Sequence, residues 1–275
     1  MVLQNKNVTN SNNIKLSIQI SLSGLSFCIL NPETNTITFL KEINFEKKLN
    51  PLELLDALKE QFNTHPILTE NQYDVCVIHD NNLSALVPKP LFQEDNMADY
   101  LKFSSKILKS DFITYDELLQ NDSINVYVPY ININNYIYDV FGEFTYKHVS
   151  TVLISSILQI EKNTESPKAY VNVSKTHFEL IIIEKAKLIF YNSFEYTTKE
   201  DFIYYILFTA EQLKLNPENV NLICIGAIEK NNPLYNIVYK YFRFVFLGRK
   251  EDNYKYLISA QPSNYHSNFT LIKSF

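Results

Sequence analysis

The apolar positions of this chain fall into short β-like runs separated by amphipathic helical stretches, and one order of elements occurs twice. Residues 14–30 and 36–45 are rich in β-branched and aromatic side chains and predict a hairpin turning at Asn31-Pro32-Glu33. Asn50-Pro51-Leu52-Glu53 then reads as a helix start, with an Asn cap, Pro at the first position and Glu at the third. Leu55, Leu58 and Phe62 follow at helical spacing, so 51–63 is expected to be an amphipathic helix. A short buried strand is expected at 73–79, with 83–87 as its partner.

The second half repeats this order. Residues 169–183 and 187–196 predict a hairpin turning at Glu184-Lys185-Ala186. Thr198 precedes a helix with Asp201 in its first turn and Phe202, Ile206, Ala210 and Leu213 on its apolar face. Residues 220–226 match the strand at 73–79. Residues 18–45 superpose without gaps on 169–196 at an offset of 169 − 18 = 151, and helix 51–63 falls on 202–214 at the same offset. Recurrence of hairpin, helix and strand in order predicts an internally duplicated, two-lobed, pseudo-symmetric chain.

Between the repeats, a helix is expected at 97–109, a strand at 123–130, and helices at 132–141 and 148–159 broken near Gly142. The chain closes with a helix at 234–241, a strand at 243–247 and a final strand or hairpin near 256–272. Hairpins mixed with helices indicate α/β or α+β layers, of which α/β is the expected class. The expected organisation is a disordered tail over 1–13, a first lobe over 14–150 and a second over 151–275.

Composition narrows the function classes. Hydrophobic residues at 46% and charged residues at 20% give a globular balance. A net charge of −5 argues against a dedicated nucleic-acid binder, which carries a basic footprint. Cys28, Cys76 and Cys224 each sit in an apolar strand-like run and read as buried free thiols. No run approaches the length of a membrane-spanning helix and the first residues lack an apolar signal core, so a cytoplasmic protein without membrane insertion is expected. Only four glycines occur, Gly24, Gly142, Gly226 and Gly248, and the closest two lie 248 − 226 = 22 residues apart. Phosphate-cradling loops of the P-loop or dinucleotide type need clustered glycines, so both are excluded.

A strand, a loop, a second strand, further β structure and a helix, present twice, resemble the actin-like ATPase fold, of ribonuclease H-like type, shared by sugar kinases, heat-shock ATPases, actin and pilus-platform proteins. In active members of that fold each hairpin's first turn carries an Asp-x-Gly signature that contacts phosphate and metal. The resemblance places Ser21-Leu22-Ser23 and Asn172-Val173-Ser174 at these turns, and an adenosine-side Gly-Gly signature survives as Ile225-Gly226-Ala227. Ser21, Ser23, Asn172, Ser174 and Gly226 are therefore the candidate cofactor-binding positions, in degenerate form. The segments SLSGLSFCILN, DNNLSALVPKPLF (80–92), YLKFSSKI (100–107) and VPYININNYIYDVFGEFTYKHVSTVLI (128–154) resemble the Bacteroidetes domain-of-unknown-function family 3822. That family carries no established activity to transfer.

A magnesium nucleotide needs carboxylates for the metal and backbone amides near the phosphates, and Ser21 and Asn172 bring no negative charge. No ATP, magnesium or other cofactor is expected, nor catalysis. The expected role is a non-catalytic scaffold or partner-binding protein with an unidentified protein partner; the alternative is a divergent nucleotide-binding switch using the interlobe cleft.

Other candidates each have a structural counter-reading. His79-Asp80 ends a strand, where adjacent side chains point to opposite faces and do not orient one another. Asp139, Glu143 and His148 gather near Gly142 as conceivable metal ligands, or as a solvated helix end. The stretch 239–256 interleaves basic and aromatic residues, as single-strand nucleic-acid binders do, but its alternation fits a core strand. Tyr130, Tyr136 and Tyr138, in YININNYIYDVFGEF, form the candidate partner surface, with a tyrosine-rich core as the competing account.

Overall fold

The computed structural model describes residues 14–103 and 105–275; the expected tail over 1–13 lies outside the described residues. The chain forms two units, one comprising 14–152, 252–261 and 270–275, the other 153–251 and 262–269. The last part of the chain therefore divides between the units rather than staying with the second.

In the first unit, β1 (Ile14–Ser21), β2 (Gly24–Asn31) and β3 (Thr36–Asn44) form an antiparallel meander. The expected hairpin is three strands, because Leu22-Ser23 make a tight turn inside an apolar alternation that runs on either side of it. Helix α1 (Pro51–Thr64) starts as the sequence indicates: Asn50 Oδ1 accepts from the Leu52 and Glu53 N–H groups at 2.9 and 3.0 Å, and Glu53 Oε2 accepts from the Asn50 N–H at 2.8 Å. β4 (Tyr73–Asp80) then pairs parallel with β1.

β5 (Ser84–Pro88) pairs with a later strand and not with β4, the partner the sequence led us to expect. Asn81 diverts the chain: its Oδ1 accepts from the Leu83 N–H at 2.8 Å and its Nδ2 donates to the Val128 carbonyl at 3.0 Å. After α2 (Met97–Leu101), β6 (Thr114–Leu118) and β7 (Ser123–Tyr127) complete a separate antiparallel sheet in the order β5-β7-β6. The helix expected over 97–109 stops early; further on, the Leu108 N–H donates to Asp111 Oδ2 at 2.7 Å, a local turn that competes with helix. Helix α3 (Ile131–Phe141) follows, and β8 (Thr145–His148) takes the place beside β4 that β5 leaves open. Helix α4 (Val149–Ile160) carries the boundary between the units.

The second unit holds β9 (Lys168–Val173), β10 (His177–Glu184), β11 (Lys187–Glu195), α5 (Lys199–Gln212), β12 (Asn221–Gly226), α6 (Pro233–Tyr241) and β13 (Phe244–Leu247). Its sheet runs β11-β10-β9-β12-β13. The chain ends not in a long hairpin but in β14 (Lys255–Tyr256), which joins β3 at the edge of the first unit's sheet β14-β3-β2-β1-β4-β8, and in the short helix α7 (Phe269–Lys273).

Apart from β14, the main sheets share one wiring: two antiparallel pairings, then two parallel ones. Core-facing Leu16, Ile18 and Ile20 of β1 match core-facing Ala169, Val171 and Val173 of β9, an offset of 169 − 16 = 153. The pairing register shifts between Ile29 and Leu30 of β2 and, at that same offset, between Ile182 and Ile183 of β10, where β3 and β11 each carry one extra residue, Thr38 and Ile189. The helix caps are offset by 198 − 50 = 148. The 151 of the gap-free alignment holds for β3 against β11 (187 − 36 = 151) and is corrected for β1, β2 and the helix caps. A slip of two residues keeps every side chain on its face, so hydrophobic alternation cannot detect it.

Candidate functional site

In the first unit, the parallel pairing of β1 and β4 sets Ser21 beside Asp80 at the carboxyl ends of the strands, where ligands bind in α/β sheets. The turn hydroxyls satisfy each other: Ser21 Oγ lies 2.9 Å from Ser23 Oγ and accepts from the Ser23 N–H at 3.1 Å. The buried Asp80 carboxylate accepts from Gln19 Nε2 at 3.1 Å, and Gln19 Oε1 accepts from Thr270 Oγ1 at 2.6 Å.

His79, one residue earlier, points the other way into the core. Its Nδ1 accepts from the Tyr130 N–H at 3.2 Å, so its Nε2–H donates to Asn134 Oδ1 at 3.0 Å. Burial, helped by nearby His148, pushes its pKa down from 6.5 to about 3, which keeps the ring neutral. His148 is also buried. Its Nδ1 accepts from the Ser150 N–H at 3.2 Å, capping α4, with Ser150 Oγ at 2.7 Å; its Nε2 donates to the Asn81 carbonyl at 3.1 Å. Asp139 and Glu143 lie exposed on either side of the Gly142 helix end, so the three do not gather as a metal site.

The sequence reasoning missed Asp116 on β6. Its carboxylate accepts from the His148 N–H at 2.9 Å, Thr151 Oγ1 at 2.7 Å and the Tyr127 hydroxyl at 3.0 Å. Burial raises its pKa from 3.8 to about 6, against the lowering effect of those three donors. This group ties the small three-stranded sheet to β8 and to the start of α4. Its strand reads TYDEL, too short and polar for a periodicity signal.

In the second unit, Asn172 Nδ2 donates to Glu179 Oε2 at 2.9 Å, and His177 Nε2 lies 3.1 Å from Glu179 Oε1. Glu179 is fully buried and was legible as a charge inside the apolar run HFELIIIE. Ser174 closes the β9–β10 turn: its N–H donates to the His177 carbonyl at 2.9 Å and its carbonyl accepts from the Tyr196 hydroxyl at 2.7 Å. At the structural offset of 174 − 21 = 153, Ser174 rather than Asn172 is the counterpart of Ser21.

Gly226 ends β12 with φ 81°, and a Cβ there would lie 2.3 Å from the Val173 carbonyl oxygen. Only glycine fits that conformation at that approach. Its N–H donates to the His266 carbonyl at 2.8 Å, and His266 Nε2 donates to the Ile228 carbonyl at 2.7 Å. The Gly226 amide is thus engaged within the chain.

The three tyrosines separate. Tyr130 turns inward, its hydroxyl donating to the Asp80 carbonyl at 3.3 Å; Tyr136 stacks on Phe62 with centroids 5.9 Å apart; Tyr138 is 49% exposed. They do not form one continuous face.

Comparison with known proteins places this geometry. The family model described as "Protein of unknown function (DUF3822)" matches residues 3–245. The chain belongs to this family. A crystal structure from Bacteroides thetaiotaomicron VPI-5482, a protein with actin-like ATPase fold and unknown function, is 25% identical with a TM-score of 0.78, covering 91% of this chain and 96% of that one. A PilM-PilN type IV pilus biogenesis complex matches at 9% identity and TM-score 0.56, over 94% of each chain. The ethanolamine utilization protein EutJ from Carboxydothermus hydrogenoformans matches at 8% identity and TM-score 0.50, over 94% of this chain and 88% of that one. No curated protein matches the chain. The family member therefore has the actin-like ATPase fold, and among the described residues no helix is long and apolar enough to cross a membrane.

Proposed function

We propose that this family member is a non-catalytic, partner-binding protein of the actin-like fold, whose strand-end turns have exchanged phosphate contacts for internal hydrogen bonds. The observation that carries this reading is the Gly226 amide, which donates to the His266 carbonyl at 2.8 Å. Two further groups support it: Ser21 and Ser23 bind each other, and the Asn172 amide is held by Glu179. Matching wiring, capping boxes and bulge positions in the two units support descent from one duplicated unit. A structural neighbour that is itself a two-protein pilus complex offers an analogy for partner binding, resting on fold alone.

The test is thermal denaturation with millimolar ATP or ADP and magnesium. A ligand that binds only the folded state at a hundredfold excess over its Kd stabilises by about 2.7 kcal/mol. No shift is expected. A clear rise in Tm would replace this reading with that of a nucleotide-binding switch.

A further inference from the structure

The second unit holds a cavity of about 330 Å³ beside the amino ends of β9 and β12, the far end of the sheet from the β9–β10 turn. It lies at the small end of the range of about 300–1,000 Å³ that small-molecule sites span. Two connections frame it: the β10–β11 turn, with Glu184 before it and Ile189 after it, and the segment 213–220 that joins α5 to β12. Ile182 and Val220 are buried, so the floor is the hydrophobic core, and half-buried Leu213 and Leu215 form walls. The first unit is the control. Its segment of the same length, 65–72 between α1 and β4, sends Leu68 wholly into the core. Neither leucine of 213–220 is buried to that degree, and the hollow stays.

Its polar groups narrow what it takes. The Glu184 carboxylate and the Lys214 ammonium both line the cavity, and among the described residues neither makes an ion pair or a side-chain hydrogen bond. Lys187, opposite Glu184 across the β10–β11 pairing, is exposed and makes no ion pair with it. A half-buried carboxylate beside apolar walls and without a partner is costly. The framing backbone is strained as well. Lys185, Ala186 and Lys214 have φ 51°, 57° and 54°, so three residues that carry a Cβ hold the left-handed conformation in the two connections. Such strain gathers at ligand sites. We propose that the cavity binds a free α-amino acid with a large apolar side chain. Its ammonium pairs with Glu184, its carboxylate with Lys214, and its side chain packs on Leu213 and Leu215. A neutral apolar molecule would leave both charges unanswered, and a simple anion or cation would leave one. A cavity of this volume suits one amino acid rather than a longer peptide. The site lies away from the strand-end turns and does not rest on the partner-binding reading.

The experiment is isothermal titration calorimetry of the full chain with L-leucine and L-phenylalanine, paired with hydrogen exchange. At least one of the two should bind saturably and slow exchange at amides within 213–220. For L-leucine, two analogues that each lack one charge, 4-methylpentanoate and 3-methylbutylamine, should bind about tenfold more weakly or worse. Glu184→Gln and Lys214→Met should each weaken amino-acid binding by a similar factor while leaving Tm unchanged. Neither heat nor exchange protection with either amino acid at millimolar concentration would overturn the proposal. So would equal affinity for the amine or the acid alone, full binding by both variants, or protection that spares 213–220.

Discussion

At the scale of single residues, Gly226 and Gly142 make a controlled comparison. Both have positive φ, 81° and 77°, but an added Cβ meets the Val173 carbonyl at 2.3 Å in the first case and open space in the second. Gly142→Ala should cost about 1–3 kcal/mol from conformation alone, because φ 77° with ψ −134° is backbone that only glycine adopts freely. Gly226→Ala should cost clearly more than Gly142→Ala, because strand-end backbone must also shift; urea denaturation of both variants measures the difference. His79 and Asp116 set a second expectation. The unfolded chain protonates His79 near 6.5, whereas the folded site refuses the proton until about 3, so this group removes stability as pH falls through that window. Asp116 acts in the opposite sense: it protonates at about 6 when folded and at 3.8 when unfolded, so its contribution is lost as pH rises through 6. The two oppose each other between about pH 4 and 6. Asp116→Asn removes one side, and the variant's stability should then fall more steeply over that range, by up to about 1.4 kcal/mol per pH unit. Parallel stability profiles for variant and wild type would refute the assignment.

At the scale of elements, α1 and α5 begin with the same device, an N-cap side chain and an acidic third residue that bind each other's backbone. Asn50→Ala and Thr198→Ala should each cost about 1 kcal/mol, measurable as a drop in Tm. Packing matters more. Phe178 is fully buried, with its ring centroid 4.7 Å from Phe202 and 5.4 Å from Phe194. Phe178→Ala should cost about 3–5 kcal/mol, and chemical denaturation that showed under 1 kcal/mol would mean the site collapses around the gap. Both caps and the apolar strand runs were legible in sequence, though 14–30 and 169–183 each hold two strands where one was expected, because a cap is a local hydrogen bond and a strand face is a period of two. The Leu22-Ser23 turn was not, since alternation continues on both sides of it. Nor was β8, whose TYKH gains its strand conformation from the vacancy beside β4.

At the scale of the whole molecule, the closing residues serve both units, each in its own core. Ala260, Leu271 and Ile272 fill the first unit beside Cys28 and Ile37, and the His266 carbonyl satisfies Gly226 in the second. Deleting 252–275 should therefore leave a chain without a single cooperative melt, and limited proteolysis should cut it far faster than the intact protein. By itself the sequence determined the recurrent order of strands and helices, the helix starts, the burial of Cys28 and Cys224 and the family, because each depends on neighbours in the chain or on motifs carried by continuous segments. Tertiary structure alone decided the offsets between matching elements of the two units, the inward turn of Tyr130, the roles of Asp116 and Glu179, and the engagement of Gly226 by His266. Those depend on pairings between residues far apart in sequence. Periodicity records which face a side chain occupies but not which distant group lies opposite it.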